Sequence, residues 1–182
     1  MALNTISRSL HDVGLAAWFG GTLANAVALN AAAGETRRLS DAGAVVNSGW
    51  DRWTPVNAAA IGANLIGSAG QLWANKGRIG AQQGVGTMSL IKTGLTVAAL
   101  GVTGYSRILG KKVSQHSDVP VHDGTTPSEQ TPDEVAAAQK QLKALQWAVP
   151  ALTGALVVVS AFAGEQQRPK TVLAGLRKRL TG

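Results

Sequence analysis

Three windows of this chain hold no formal charge, and each is long enough to cross a lipid bilayer as a helix. Between Asp12 and Glu35 lie 22 uncharged residues, roughly 33 Å of helix against a hydrocarbon core about 30 Å thick. A second window, Trp53 to Asn75, has 23 and lies between Arg52 and Lys76. The stretch between Lys143 and Glu165 has 21 and contains the most aliphatic run of the protein, Ala155 to Ala163. A further candidate, Thr87 to Leu109, carries Lys92 one turn in and Arg107 near its far end; both are placed where a long side chain reaches the interface. The spacing therefore predicts an all-α integral membrane four-helix bundle, with spans at about 12–34, 53–75, 87–109 and 144–164.

Composition supports that reading. Of 182 residues 45% are hydrophobic and 15% charged, which excludes a disordered chain. The mean hydropathy of +0.08 is low for a membrane protein, because Ala and Gly score weakly and the connecting segments are polar. An Ala-rich helical bundle in water is the structural alternative. With no cysteine, disulfides, thiolate metal sites and cysteine nucleophiles are excluded.

Punctuation along the chain marks further boundaries. Trp53 and Trp73 stand 20 positions apart, roughly 30 Å of helix and the separation of a bilayer's aromatic belts. Thr54-Pro55 reads as an N-cap and first-turn proline, and Thr131-Pro132-Asp133-Glu134 as a capping box. Residues 35–52 then form a connection, with an interfacial turn around Ala42 to Val46. The fourth helix begins a dozen residues before its span, and Pro150 is expected to kink it. Residues 113–131 read as a polar, solvated and mobile loop. The last segment, 168–182, is a basic amphipathic tail whose Arg168, Lys170, Arg177, Lys178 and Arg179 are expected to contact lipid headgroups. Nucleic acid is not an expected partner, since aromatic residues do not interleave with the basic ones.

Four spans put both termini on one side. Lys and Arg balance at eight on each side with Lys92 left out, but the five C-terminal ones are concentrated beside the span, which favours cytoplasmic termini in a bacterial inner membrane. A cleaved signal peptide ending near Ala31-Ala32-Ala33 is the rival for the first window; its length and the preceding Asp12 argue against cleavage.

Polar residues recur at seven-residue steps: His11, Trp18 and Asn25 on the first span, Asn57, Asn64 and Gln71 on the second, with Lys92 on the third. Each trio shares a helix face. Two uses stay open, a track for a proton, an ion or a small solute, or interhelical hydrogen bonds with Lys92 reaching outward. His11 and Asp12 are neighbours and point in different directions on a helix, so no relay between them is expected. Small residues, Gly20, Gly21 and Ala24, then Ala59, Ala63 and Gly67, then Gly94, Ala98, Gly101 and Gly104, predict close helix packing within the chain or against another.

The arrangement LHDVGLAAWFGGTL, with His11, Gly14, Trp18 and Gly20-Gly21, resembles the His-x-x-Gly…Trp-x-Gly-Gly helix of several bacterial multi-span families, including the copper-resistance D-like proteins. The resemblance covers about fourteen residues and implies a histidine that faces the bundle and could touch copper or haem. This chain departs from such chemistry: beside Met1 it has Met88 alone, and His116 and His122 fall in the polar loop, so ligands would come from another chain. No cofactor or metal is therefore expected. Glycine-rich nucleotide loops and a nucleophile elbow are absent from the sequence, and the expected function is non-enzymatic: an accessory or packing role, as a homo-oligomer or on another membrane protein. A solute or proton pathway is the alternative and His11-centred metal or haem binding the third.

Overall fold

The computed structural model describes residues 2–81, 85–116 and 118–165, with side chains described for 4–77, 86–116 and 118–165. Four long helices carry the fold among these residues. The first, α1, runs Ala2–Ala24 and continues through a π turn, Asn25–Leu29, a short α segment, Asn30–Ala32, and a 3-10 turn, Ala33–Glu35. Helix α2 is Leu39–Ala81, α3 is Val85–Ser114 and α4 is Asp133–Glu165. Two stretches, Asn4–Glu35 and Asp133–Glu165, are long and apolar enough to cross a membrane.

Side-chain bonds to backbone carbonyls accompany the π turn. Asn25 Nδ2 donates to the Gly21 carbonyl at 2.8 Å, taking the acceptor that a backbone N–H would use in a regular α-helix, and Thr22 Oγ1 likewise bonds the Trp18 carbonyl at 2.7 Å. The same back-bonds at Thr54 and Asn75 leave α2 regular, so they accompany the π turn and do not by themselves produce it. Thr36 ends α1: its backbone is extended and its hydroxyl donates to the Ala33 carbonyl at 2.9 Å.

Helix α2 corrects the expected boundary at Thr54-Pro55. It spans 43 residues, about 65 Å, and takes up most of the segment read as a connection. Thr54 does not cap a helix start, for its hydroxyl donates back to the Trp50 carbonyl at 2.7 Å. Proline is tolerated because it frees a single carbonyl, that of Asp51, and both Asp51 and Pro55 are exposed. Helix α4 begins where the sequence places it, with Ala136 N–H on the Pro132 carbonyl at 2.9 Å, and runs on through Pro150. The capping box does not form. Thr131 Oγ1 accepts from Ser128 N–H at 2.8 Å and donates to the Pro120 carbonyl at 2.6 Å, while Glu134 reaches Lys112 Nζ at 2.6 Å.

Neighbouring helices alternate in direction. Gly21 meets Trp53, Gly14 meets Ala60 and Asn64, and Gly67 meets His11, so α1 and α2 run antiparallel. Tyr105 with Gln141 and Lys112 with Glu134 set the same relation for α3 and α4. Helix α1 also packs on α4, whereas α2 and α3 barely touch. Trp18 is fully buried among Ala99, Val149, Ile61, Leu100, Val102 and Leu152, which accounts for a tryptophan far from either end of its window.

The segment joining α3 to α4 is not a free solvated loop. Val121 N–H bonds the Leu39 carbonyl at 3.1 Å, and Val121 packs with Ala33, Ala42 and Val46 beside Trp50. Thr125, Thr131 and Gln139 are buried with it, and Gln139 Nε2 donates to the Asp123 carbonyl at 3.2 Å. The segment is a cap over one end of the helices. Its one buried apolar anchor, Val121, and a few hydrogen bonds seat it, a signal too small for composition to reveal.

Candidate functional site

The α1–α2 seam is built on glycine. A Cβ on Gly14 would sit 2.4 Å from the Ala60 carbonyl oxygen and 2.6 Å from Asn64 N, and one on Gly67 would sit 2.3 Å from His11 N. Backbones therefore meet directly here, close enough for Asn64 Nδ2 to donate to the His11 carbonyl at 3.1 Å. Gly21 leaves room for the Trp53 ring. Gly14 and Gly21 of the LHDVGLAAWFGGTL stretch thus do packing work, whereas around Gly20 a Cβ would meet nothing.

His11 is buried and its Nδ1 lies 2.7 Å from Asp12 Oδ1. Adjacent residues point in different directions on a helix, yet these two side chains meet: the carboxylate stays exposed and the ring lies inside, and two rotatable bonds on each side bridge the angular step between them. Lys92 is half-buried and within electrostatic reach of both. Among the described residues no group of three or more His, Cys, Asp or Glu comes together.

Toward the capped end the helices part around a cavity of about 250 Å³. Helix α2 supplies Asn47, Trp50, Asp51, Trp53, Asn57 and Ile61, and α3 supplies Thr103, Gly104, Arg107 and Gly110. Asn30 and Gln146 close its far side, joined by Asn30 Nδ2 donating to Gln146 Oε1 at 2.8 Å. Trp50 Nε1 donates to Asn30 Oδ1 at 3.4 Å. Asp51 and Arg107 pair at 3.7 Å across the gap between α2 and α3.

The seven polar residues singled out from sequence are divided by this arrangement. His11 and Asn64 form one contact, and Trp18 Nε1 donates to Thr103 Oγ1 at 3.3 Å. Asn25 serves its own helix. Asn57 lines the cavity, and Gln71 and Lys92 lie toward the opposite end. Trp73 is 75% exposed with Lys76 Nζ 4.4 Å from its ring centre, but Trp53 is turned inward against Gly21, so the two do not form matching belts. The five basic tail residues, Arg168, Lys170, Arg177, Lys178 and Arg179, lie outside the described residues.

Sequence reasoning missed Asn47, Trp50 and the Asp51–Arg107 pair. The signal was present: Asn47, Trp50, Thr54, Asn57 and Ile61 follow a three-and-four spacing. Placing a helix start at Thr54-Pro55 cut that stripe in half. Compared with known proteins, the chain matches no family model, no curated protein and no solved structure.

Proposed function

We propose that this chain is a small integral membrane protein, a four-helix bundle with a non-enzymatic accessory role, which associates with itself or docks on a larger membrane complex. Its polarity supports the bilayer. Val13, Ile66, Trp73, Leu90, Val97 and Phe162 are exposed, while His11, Asn25, Asn30, Asn57, Asn64 and Gln139 are buried. Water would favour the reverse distribution; lipid favours this one. In this reading both termini and the basic tail face the cytoplasm of a bacterium, with the tail on lipid headgroups.

The observation that carries the accessory role is on α3. Gly94, Ala98 and Gly101 stand exposed in one row with Leu90, Val97, Tyr105 and Ile108, and a Cβ on Gly94 or Gly101 would meet nothing. Small residues in such a row let a second helix approach closely, the main source of association in lipid. Two experiments test this. Resistance of the protein to carbonate extraction is expected, and release into buffer as a monodisperse species would overturn the membrane assignment. Purification in mild detergent should give an oligomer or a stoichiometric partner that Gly101→Leu disrupts, and a lone monomer would remove the accessory role.

One observation favours a second reading. Asn57 Oδ1, Asn64 Oδ1 and Gln71 Nε2, at successive heptad steps of α2, are all buried without a hydrogen-bond partner, a polar row along one helix face whose bonding capacity the fold leaves unspent. Lys92→Met in liposomes separates the two: an accessory protein assembles unchanged, whereas a charge-dependent flux disappears. Metal or haem binding through His11 is tested by Soret-band absorbance and metal analysis of the purified protein.

A further inference from the structure

The groove between α2 and α3 has two unlike ends. Its apolar part, about 250 Å³, reaches along α2 from Val46 to Ile61 and is backed by Leu142, Leu145 and Val149 of α4. Beside it, toward the cap, lies a shallow polar hollow lined by Asn47, Ser48, Asp51, Arg52 and Ser114, and the two share Asn47, Asp51 and Ser114. Polar and apolar surface thus adjoin in one continuous groove. From Asp51, where the charges stand, to Ile61 is ten positions of helix, about 15 Å and half of a hydrocarbon core about 30 Å thick. The groove has the depth of one leaflet, with its polar end outward.

Charge at the rim defines what would fit. Asp51 and Arg107 pair across the mouth at 3.7 Å. Arg52 follows Asp51, and Lys111 stands one turn beyond Arg107; both are exposed and make no ion pair among the described residues. Three cations against one carboxylate leave the rim positive. Below it, residues 53–61 of α2 and 103–106 of α3 carry no charge. Gly104 and Gly110 keep the α3 wall open, for a Cβ on either would meet nothing within 4 Å. A gap of this kind between helices in a bilayer is filled by what surrounds it, since an empty one forfeits dispersion contacts along every wall. Water is a poor filler, for each molecule wants two to four polar partners and these walls are mainly carbon.

We propose that the α2–α3 groove holds one anionic phospholipid of the leaflet on the capped side. One acyl chain lies against Ile61, Leu145 and Val149 with Gly104 beside it, and the phosphate rests at the rim between Arg52 and Lys111. No hydrogen bond to a buried side chain is needed, because apolar area and charge together carry the binding. This site rests on the bilayer reading above and adds to it the class of lipid that the groove selects.

Native mass spectrometry of the full chain in mild detergent, with phosphatidylglycerol and phosphatidylcholine of identical chains added in equal amounts, tests the site. The first lipid retained should be phosphatidylglycerol by about 25-fold, a factor of about five from each of two cations beside an anionic headgroup. In the double variant Arg52→Gln with Lys111→Gln that preference should fall to about twofold or less. Gly104→Leu, whose side chain takes the place of the acyl chain, should weaken both lipids at least about fivefold and leave the preference between them unchanged. Neutralising the tail by Arg177→Gln, Lys178→Gln and Arg179→Gln should leave the preference for the first lipid within about twofold of its original value. Circular dichroism and thermal unfolding establish that each variant folds, and the ratio of two lipids within one variant does not depend on yield. Equal retention of the two lipids, a preference that survives the rim variant or disappears with the tail, or binding indifferent to Gly104→Leu would overturn the proposal. Carbonate extraction tells the two failures apart: a chain released into buffer removes the bilayer reading and this site with it, whereas a chain kept in the membrane without headgroup preference removes this site alone.

Discussion

The Asn64 amide nitrogen donates to the His11 carbonyl at 3.1 Å, and both residues are buried. This bond crosses from α2 to α1 where glycine brings the backbones together. In the proposed bilayer setting, Asn64→Ala should lower stability by about 0.6 kcal/mol and at most about 1.7 kcal/mol, the range for interhelical hydrogen bonds between membrane helices. Asn75→Ala is the contrast: its amide bonds the Gln71 carbonyl of its own helix, and a change under about 0.5 kcal/mol is expected. Denaturant titration in detergent, followed by tryptophan fluorescence, measures both.

Gly14 and Gly20 are six positions apart on α1 and should respond in opposite ways. A Cβ at Gly14 collides with the backbone of Ala60 and Asn64, and one at Gly20 meets nothing. Gly14→Ala should therefore destabilise by about 2–3 kcal/mol, as overpacking against backbone does. Gly20→Ala should be neutral or stabilising by up to about 1 kcal/mol through helix propensity. Equal effects in thermal unfolding would contradict the α1–α2 seam described above.

Trp18 Nε1 has its acceptor on another helix, Thr103 Oγ1. Thr103→Val keeps the shape and leaves the fully buried indole N–H unpaired, for an expected loss of about 1–3 kcal/mol. Adding Trp18→Phe removes that donor, so the double variant should lose less than the sum of the two single ones. Strict additivity in the unfolding free energies would show that the bond contributes nothing.

Glu134 gives the pH dependence. Its hydrogen bond to Lys112, and then the charge of Lys112, lower its pKa from the ordinary 4.5. A carboxylate with a depressed folded-state pKa adds stability that is whole above 4.5 and is lost as pH falls through the lowered value. The group is fully exposed, so the effect is small. Melting curves between neutral and acidic pH should show it as a slightly steeper fall in Tm for the native chain than for Glu134→Gln, and parallel curves would remove the pair from the account.

Much of the architecture was legible because a long uncharged stretch shielded from water must satisfy its own backbone groups, which a helix does within one segment. Uncharged windows near Val13, Trp53 and Ala144, and the more weakly marked one at Thr87, each fall inside one of the four helices. Boundaries read from local signals fared less well. Thr54-Pro55 resembles a helix start in isolation, yet α2 passes through it, since one freed carbonyl on an exposed face costs less than breaking a 43-residue helix. Thr131 has the identity of a cap and spends its hydroxyl on the Pro120 carbonyl instead.

The candidate site divides along the same line. Heptad spacing of His11, Trp18, Asn25, Asn57, Asn64 and Gln71 marked the helix faces turned toward other helices, because periodicity is a property of a single helix. Which partner each would meet depended on the distance between backbones. Glycines at 14, 21 and 67 closed the α1–α2 seam, while α2 and α3, with no such contact between them, left a cavity lined by Asn47, Trp53 and Asn57. A one-dimensional pattern can say that a side chain faces inward; whether it finds a hydrogen-bond partner there or an open space is set by how closely the neighbouring helix approaches, and that is decided only when all four are packed.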